Sequence, residues 1–246
     1  MSGHSRWSTI KHKKGAADAK RGRIFTKVIK ELTVAARQGG ADPESNSRLR
    51  QAMAMARASN VPSDTVTRAI KRGTGELEGV SIEEVNYEGY GPGGVAILVE
   101  TMTDSKNRTV AEIRHVFQRY NGSLGENGCV AWMFAARGLI SIPKDKATED
   151  RLMEVGLDAG IEDIDDAGDE WEVYTALAAL EPVRKALEAA GIPINAAKAT
   201  KVPSTLVKLE GKNAETMMKL YEALEEQEDV QDVYANFDVP EELLQS

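Results

Sequence analysis

The stretch "GLISIPKDKATEDRLMEVGLDAGIEDIDDAGDEWEVYTALAALEPVRKALEAAGIPINAAKATKV" (residues 138–202) decides the fold. Alternating or β-branched runs at 138–143, 161–165, 170–176 and 193–202 predict strands, because side chains two apart share one face of a sheet. Between them, 148–159 and 179–190 carry apolar residues at three- and four-residue steps, the spacing of an amphipathic helix. The order β-α-β-β-α-β is that of a ferredoxin-like unit.

Working outward, strand 94–102, helix 106–120, strand 129–135, strand 204–210, helix 212–228 and strand 230–238 repeat the same order around the block. The spacing therefore predicts a second ferredoxin-like unit that holds the first between its central strands, with 83–90 as an added hairpin strand.

The chain before residue 80 is different. From Arg21, residues Ile24, Phe25, Val28, Ile29, Leu32, Ala35 and Ala36 recur at helical spacing until "QGG" stops them. On a wheel of about 100° per residue, Arg23, Lys27, Lys30 and Arg37 gather opposite that face, so the helix is expected to be apolar inward and cationic outward. A second helix is expected from Asp42 as N-cap with Pro43 at its first position, carrying Leu49, Ala52, Met53 and Ala56. A third starts near Pro62, turns Val66, Ala69 and Ile70 inward and Arg68, Lys71 and Arg72 outward, and ends at "GTG". The fold class is α+β: an N-terminal basic three-helix bundle plus two ferredoxin-like α/β domains, one inserted in the other. The expected divisions are a mobile basic arm at 1–20, helices at 21–78, a discontinuous α+β domain at 79–136 and 204–240, and the inserted domain at 137–203.

Charge follows the same division. Residues 1–80 hold 16 Lys and Arg against 7 Asp and Glu, whereas residues 81–246 hold 15 against 32, within a formal net charge of -8. Such asymmetry marks a polyanion-binding end on an otherwise acidic molecule. Cys129 is the single cysteine, so no internal disulfide or CxxC-type metal site can form, and a reducing compartment fits. No run reaches the roughly 18 apolar residues of a membrane helix. The basic start continues into "GAADAKRGRIF" and not into an apolar segment. A cytoplasmic protein without a membrane association is expected.

Motifs for catalysis are weak. Gly89, Gly91 and Gly94 spell G-x-G-x-x-G, but the following "VAILVET" reads as a strand where a dinucleotide site needs a helix. A tight hairpin turn explains the glycines; close approach by a nucleic-acid backbone or another protein is the competing reading, with Tyr90, Gly91 and Gly93 as candidate contacts, and Tyr87 and Tyr90 are candidate stacking residues or cross-strand packing. "TDSKNRT" offers Asp104 or Ser105 as a cap and sets Lys106, Asn107 and Arg108 near a helix N-terminus, a candidate anion site. "EDIDDAGDE" fails the calcium-loop template, because Ala167 and Tyr174 fall where oxygen ligands belong. His4, His12 and His115 lack partners at metal-ligand spacing. No catalytic group, metal or cofactor is expected.

The segments "GHSRWSTIKHKKGAADAKRGRIFTKVIKELTVAAR", "GGADP", "EGYGPGGVA" and "DSKNRT" resemble the YebC/PmpR family, which also includes the mitochondrial translational activator of cytochrome c oxidase. The resemblance spans nearly the whole chain. It departs mildly where "SRWST" replaces "SKWAN", "DSKNRT" replaces "DNRNRT", and "YNGSLGENGCVAW" replaces a "GGxLGxxGSV" pattern. It implies a three-domain α+β fold, DNA binding and transcriptional regulation in bacteria, and ribosome association with activation of translation.

Residues and resemblance together lead to a non-enzymatic regulator of gene expression that binds nucleic acid through Lys11, Lys13, Lys14, Lys20, Arg21, Arg23, Lys27 and Lys30, joined by Arg68, Lys71 and Arg72, with Arg108 among the loop contacts. DNA-bound transcriptional control leads. A ribosome-associated translation factor binding ribosomal RNA is the close alternative, since basic residues without base-reading partners suit either polymer. A protein-interaction scaffold using the acidic domains is the third reading.

Overall fold

The computed structural model describes residues 17–240, with side chains from Gly22 onward. Among the described residues three helices come first. Helix α1 (Ala17–Gly39) buries Val28, Leu32, Ala35 and Ala36, as its periodicity predicts, and ends where Gly40 takes φ 82° and donates its N–H to Ala36 O at 2.9 Å. Helix α2 spans Ser47–Ala58 and buries Leu49, Ala52 and Ala56. It starts later than the expected Asp42–Pro43 cap. Asp42 instead closes a turn, accepting from Glu44 N and Ser45 Oγ. Asn46 is the cap: its Oδ1 accepts from Leu49 N at 3.0 Å while its Nδ2 donates to Ala35 O and Gly40 O. One buried amide thus serves the last carbonyls of α1 and the first free N–H of α2, a double role that Asp, with no donor, cannot fill. Helix α3 (Ser63–Gly73) lies close against α1, since a Cβ on Gly73 would stand 2.3 Å from Thr33 O.

The inserted unit runs β4 (Phe134–Pro143), α5 (Glu149–Gly156), β5 (Ile161–Asp166), β6 (Glu170–Thr175), α6 (Leu180–Ala189) and β7 (Ala196–Pro203). Its antiparallel sheet has the order β5-β6-β4-β7, with Ile140 opposite Val173 on one side and Ala197 on the other. This is the ferredoxin-like order expected. Ile140, Ile142, Leu152, Val173, Val183 and Leu187 form its core.

The outer unit contains β1 (Glu83–Tyr90), β2 (Ala96–Thr103), α4 (Lys106–Arg119), β3 (Ser123–Leu124), β8 (Val207–Lys208), α7 (Gly211–Glu225), β9 (Val230–Ala235) and β10 (Phe237–Asp238). Its main sheet has the order β3-β1-β2-β9. Helices α4 and α7 cover one face through Ile113, Phe117, Met217, Leu220 and Tyr221 against Ile97, Val99 and Val233. Two helices on four strands match the expected layers, but the pairing differs. Residues 129–135 form a loop and a 3-10 turn (Ala131–Met133) running straight into β4, so the expected strands 129–135 and 138–143 are not two strands. The cause is Glu88, whose buried carboxylate accepts from the backbone N–H of Gly128, Val130 and Ala131, donors a sheet would otherwise use. The expected strand 204–210 shrinks to β8, paired in parallel with β10, and β1 takes the place beside β2.

The other sheet face, with Ala96, Leu98 and Tyr234, packs on Val130 and Phe134 at the root of the inserted unit. Ser204 N donates to Met133 O at 2.8 Å, so the chain enters and leaves the insertion at one point. Lys201 of β7 pairs with Glu100 of β2 at 2.5 Å.

Candidate nucleic-acid interface

Helix α3 presents its cations as its spacing predicts. Arg68, Lys71 and Arg72 are exposed, and none has an ion pair among the described residues. Their i, i+3, i+4 spacing sets them on one face. Asp64, Thr67, Arg68, Lys71 and Leu77 line a shallow depression there. Arg68 also donates from Nε to Asp64 O at 3.2 Å, which steadies its stem against the helix. Such a face suits phosphates, which need charge and donors but no defined base edge.

Helix α1 behaves otherwise. Its stripe was expected outward; only Arg37 of that group is exposed, and Arg23, Lys27 and Lys30 are half-buried. Arg23 pairs with Glu226 at 3.2 Å, Lys27 donates to Glu225 O at 3.1 Å, and Lys30 donates to Glu228 O at 3.3 Å and to Asp229 Oδ1 at 2.5 Å. The wheel gave the right direction, but the outer unit stands there. The partners lie at the C-terminal end of α7 and in the turn that follows, where free carbonyls and the helix dipole favour cations. Burial pulls the Lys27 ammonium down to about 8, partly countered by Asp232 and reinforced by Arg23 and Lys30.

Asp229 is the centre of this junction. It is buried, and burial alone would raise its carboxyl; donation by Lys30, Thr109 and Arg108 outweighs that and holds it at about 2. Arg108 is therefore not a free anion-binding residue. Its guanidinium lies 2.8 Å from Asp229 and 2.7 Å from Asp104, and Lys106 pairs with Glu83 at 2.6 Å. Ser105 occupies the cap position of α4 without a side-chain capping bond. The cations at this helix start are spent on the protein's own carboxylates.

The glycine turn is also structural. Gly91 has an ordinary φ of -93°, but a Cβ there would stand 2.6 Å from Met217 Sδ and 2.9 Å from Ile97 Cδ1. Gly93 takes φ 73° and lies against Leu209. Helix α7 and the segment before it need this close approach, which accounts for both residues. Tyr87 is buried in the core, with its hydroxyl directed at Lys106 O, and so cannot stack on a ligand. Tyr90 is 39% exposed and donates to Cys129 O at 3.1 Å.

Lys11, Lys13 and Lys14 lie outside the described residues, as do the side chains of Lys20 and Arg21 at the start of α1. Sequence reasoning missed Glu226 and Asp229 as partners of the α1 stripe. The signal was the acidic run "EEQED" (225–229), which periodicity reads only as the end of a helix. It also missed Trp132, 76% exposed with Nε1 donating to Cys129 O. Among the described residues no group of three His, Cys, Asp or Glu could hold a metal ion, and no helix is long and apolar enough to cross a membrane.

Comparison with known proteins adds three findings. A family model described as the TACO1/YebC protein N-terminal domain matches residues 5–76, and one described as the TACO1/YebC second and third domain matches residues 82–237. A protein of Desulforapulum autotrophicum named "probable transcriptional regulatory protein" is 59% identical over 243 residues, covering 99% of this chain and 98% of its own. One of the same name from Geobacter sulfurreducens is 60% identical over 242 residues, covering 98% of each. The crystal structure of a conserved hypothetical protein from Aquifex aeolicus superimposes with a TM-score of 0.88 at 46% identity, covering 96% of this chain and 98% of that one.

Proposed function

The chain belongs to the TACO1/YebC family, and from that premise we propose that it is a non-enzymatic regulator of gene expression that holds nucleic acid by its phosphates, acting first as a DNA-bound regulator of transcription. The observation that carries this reading is the exposed triad Arg68, Lys71 and Arg72, without ion pairs among the described residues and on a unit whose sequence is strongly basic. The relatives' name, probable transcriptional regulatory protein, supports the regulatory role.

A second reading, action on ribosomal RNA during translation, is favoured by one feature of α3. The residues that would lead this helix into a major groove are Ser63 and Asp64, both exposed, and Asp64 repels phosphate while offering nothing to read G or A. A surface that grips backbone without reading bases serves either polymer.

Titration of the intact chain and of Arg68→Ala/Lys71→Ala/Arg72→Ala with random duplex DNA and with ribosomal RNA, across a salt series, tests the interface. The triple variant is expected to bind duplex DNA more weakly, with a salt slope lower by up to about 0.9 for each phosphate no longer neutralised. Unchanged affinity and slope would remove α3 from the interface. Co-sedimentation of the protein with ribosomes from lysate, set against co-purification with chromosomal DNA, decides between the two polymers.

A further inference from the structure

Three of the four cations of the α1 stripe are engaged by an internal acidic surface, and the manner of engagement is unusual for a permanent joint. The apolar cluster of the helical unit, with Val28, Leu32 and Leu49 at its centre, shares no residue with the clusters of the outer unit. The hydrogen bonds and ion pairs that cross between them join Arg23, Lys27 and Lys30 to residues 225–229, and Gln38 and Arg48 to Glu84, while Val34 on the same face of α1 is the one buried apolar residue beside them outside the helical core cluster. The covalent connection, residues 74–81, is exposed throughout. Polar interfaces joined by exposed linkers permit one unit to move against the other.

Breaking a buried ion pair is usually expensive because it leaves a charge without a partner. Here it does not. Lys30 takes Asp229 Oδ1, whereas Oδ2 is held separately by Thr109 at 2.6 Å, Arg108 at 2.8 Å and Thr103 at 3.1 Å. When Lys30 leaves, the carboxylate keeps its three outer-unit donors, and Oδ1 meets the water that enters the opened junction. Lys27 gains from leaving, since its ammonium is half-buried against a carbonyl and has no carboxylate in bonding contact among the described residues. Glu226, at 62% side-chain exposure, already shares its charge with solvent.

We propose that residues 225–229 act as an internal stand-in for a phosphate backbone, so that the helical unit is latched closed in the free protein and nucleic acid releases it by competing for Arg23, Lys27 and Lys30. A phosphodiester chain fits because it offers oxygens in sequence along one helix face with no demand for base edges, as the acidic turn does with the carboxylates of Glu226 and Asp229 and the carbonyls of Glu225 and Glu228. The inference rests on the nucleic-acid reading above and adds to it a closed state and a masked part of the binding face.

The test uses the full chain with random-sequence duplex DNA. Glu226→Lys puts a like charge against Arg23 and should open the latch; Glu154→Lys makes the same charge change on the inserted unit, at a residue 70% exposed, and serves as its control. Hydrogen exchange at 23–30 and 225–232 reads the junction, and titration reads affinity. The latch predicts that saturating DNA raises exchange at both segments in the native chain, that Glu226→Lys raises it without DNA, and that this variant binds several-fold more tightly than Glu154→Lys. Binding to saturation with the junction still protected overturns the latch, as does equal affinity of the two variants. If the native chain and both variants bind no DNA at any salt, the nucleic-acid reading itself has failed, and the competition falls with it.

Discussion

Lys30 Nζ stands 2.5 Å from one oxygen of Asp229, and the other oxygen of that carboxylate accepts from Arg108, Thr109 and Thr103. The asymmetry sets different costs for the two partners. Lys30→Ala leaves the carboxylate with three donors and should lower stability by about 1 kcal/mol. Asp229→Ala removes the acceptor that two buried threonines and Arg108 share and should cost about 3 kcal/mol. Urea unfolding of the two variants checks the ratio; equal losses would mean that the Oδ1 contact carries the site.

Acid should expose the same carboxylate. Its donors hold it at about 2 against an ordinary 3.8, after overcoming the opposing effect of burial. A depressed carboxyl stabilises the folded state above its unfolded value and loses that contribution as pH falls through the folded one. The expected loss is about 2 kcal/mol between about pH 4 and pH 2. Asp229→Asn should melt lower at neutral pH and show a flatter acid limb, measurable by thermal melts across this range. An acid limb as steep as that of the native chain would assign acid lability to other carboxylates.

Gly91 should resist replacement for reasons of packing alone. Its φ suits any residue, but Gly91→Ala drives a methyl into Met217 Sδ in the middle of α7 and Ile97 Cδ1 on β2. Overpacking of this kind costs about 1–3 kcal/mol. Met217→Ala should recover part of that loss in the double variant, because it removes the nearer obstacle. Nucleic-acid affinity per folded molecule should not change, and a binding defect at unchanged melting temperature would make the turn part of the ligand surface after all.

Glu88 should govern the loop that replaces the expected strand. Burial raises its carboxyl, but the N–H groups of Gly128, Val130 and Ala131 outweigh that and hold it below the usual carboxylate value. Glu88→Ala orphans all three donors, two of them in the loop that seats Val130 and leads into β4. The cost should be on the order of 3 kcal/mol, with faster hydrogen exchange confined first to 125–131. Global loss of protection without this local step would show that the loop and the sheet unfold together.

What the sequence could and could not reveal follows from the range of the forces involved. Periodicity found α1, α3 and the whole inserted unit, because burial of one face is written every two or three to four residues. It placed the start of α2 four residues early, because Asp42–Pro43 is a good local cap and the better one, Asn46, is chosen by carbonyls of another helix. The same limit hid the pairing of the outer sheet. Val130 and Phe134 lie in a run that favours strand, but Glu88, some forty positions earlier, takes the N–H groups that strand would need. Among the candidate site residues, the exposure of Arg68, Lys71 and Arg72 was legible, since exposure on a helix is a local property. Arg23, Lys27 and Lys30 were legible only as a direction, because the acidic turn they meet lies about 200 positions along the chain.

Lys27 supplies the last prediction. Its ammonium faces the Glu225 carbonyl on α7, Asp232 on β9, and Arg23 and Lys30 on its own helix; burial, the largest effect, lowers it from 10.5 to about 8. A lysine lowered on folding is charged at a disadvantage below about pH 8, and its docked state gains relative stability as pH rises from there towards 10.5. The closed form of the native chain should therefore tighten between about pH 8 and 10, read as slower hydrogen exchange at 23–30 after correction for the intrinsic rate. Lys27→Met keeps the length of the side chain and removes the charge, so it should raise the melting temperature at neutral pH and abolish that pH dependence. It should also weaken DNA binding by one phosphate contact if the latch opens on the ligand. A lower melting temperature for Lys27→Met would mean that the bond to Glu225 outweighs the burial of its charge, and that the joint is permanent.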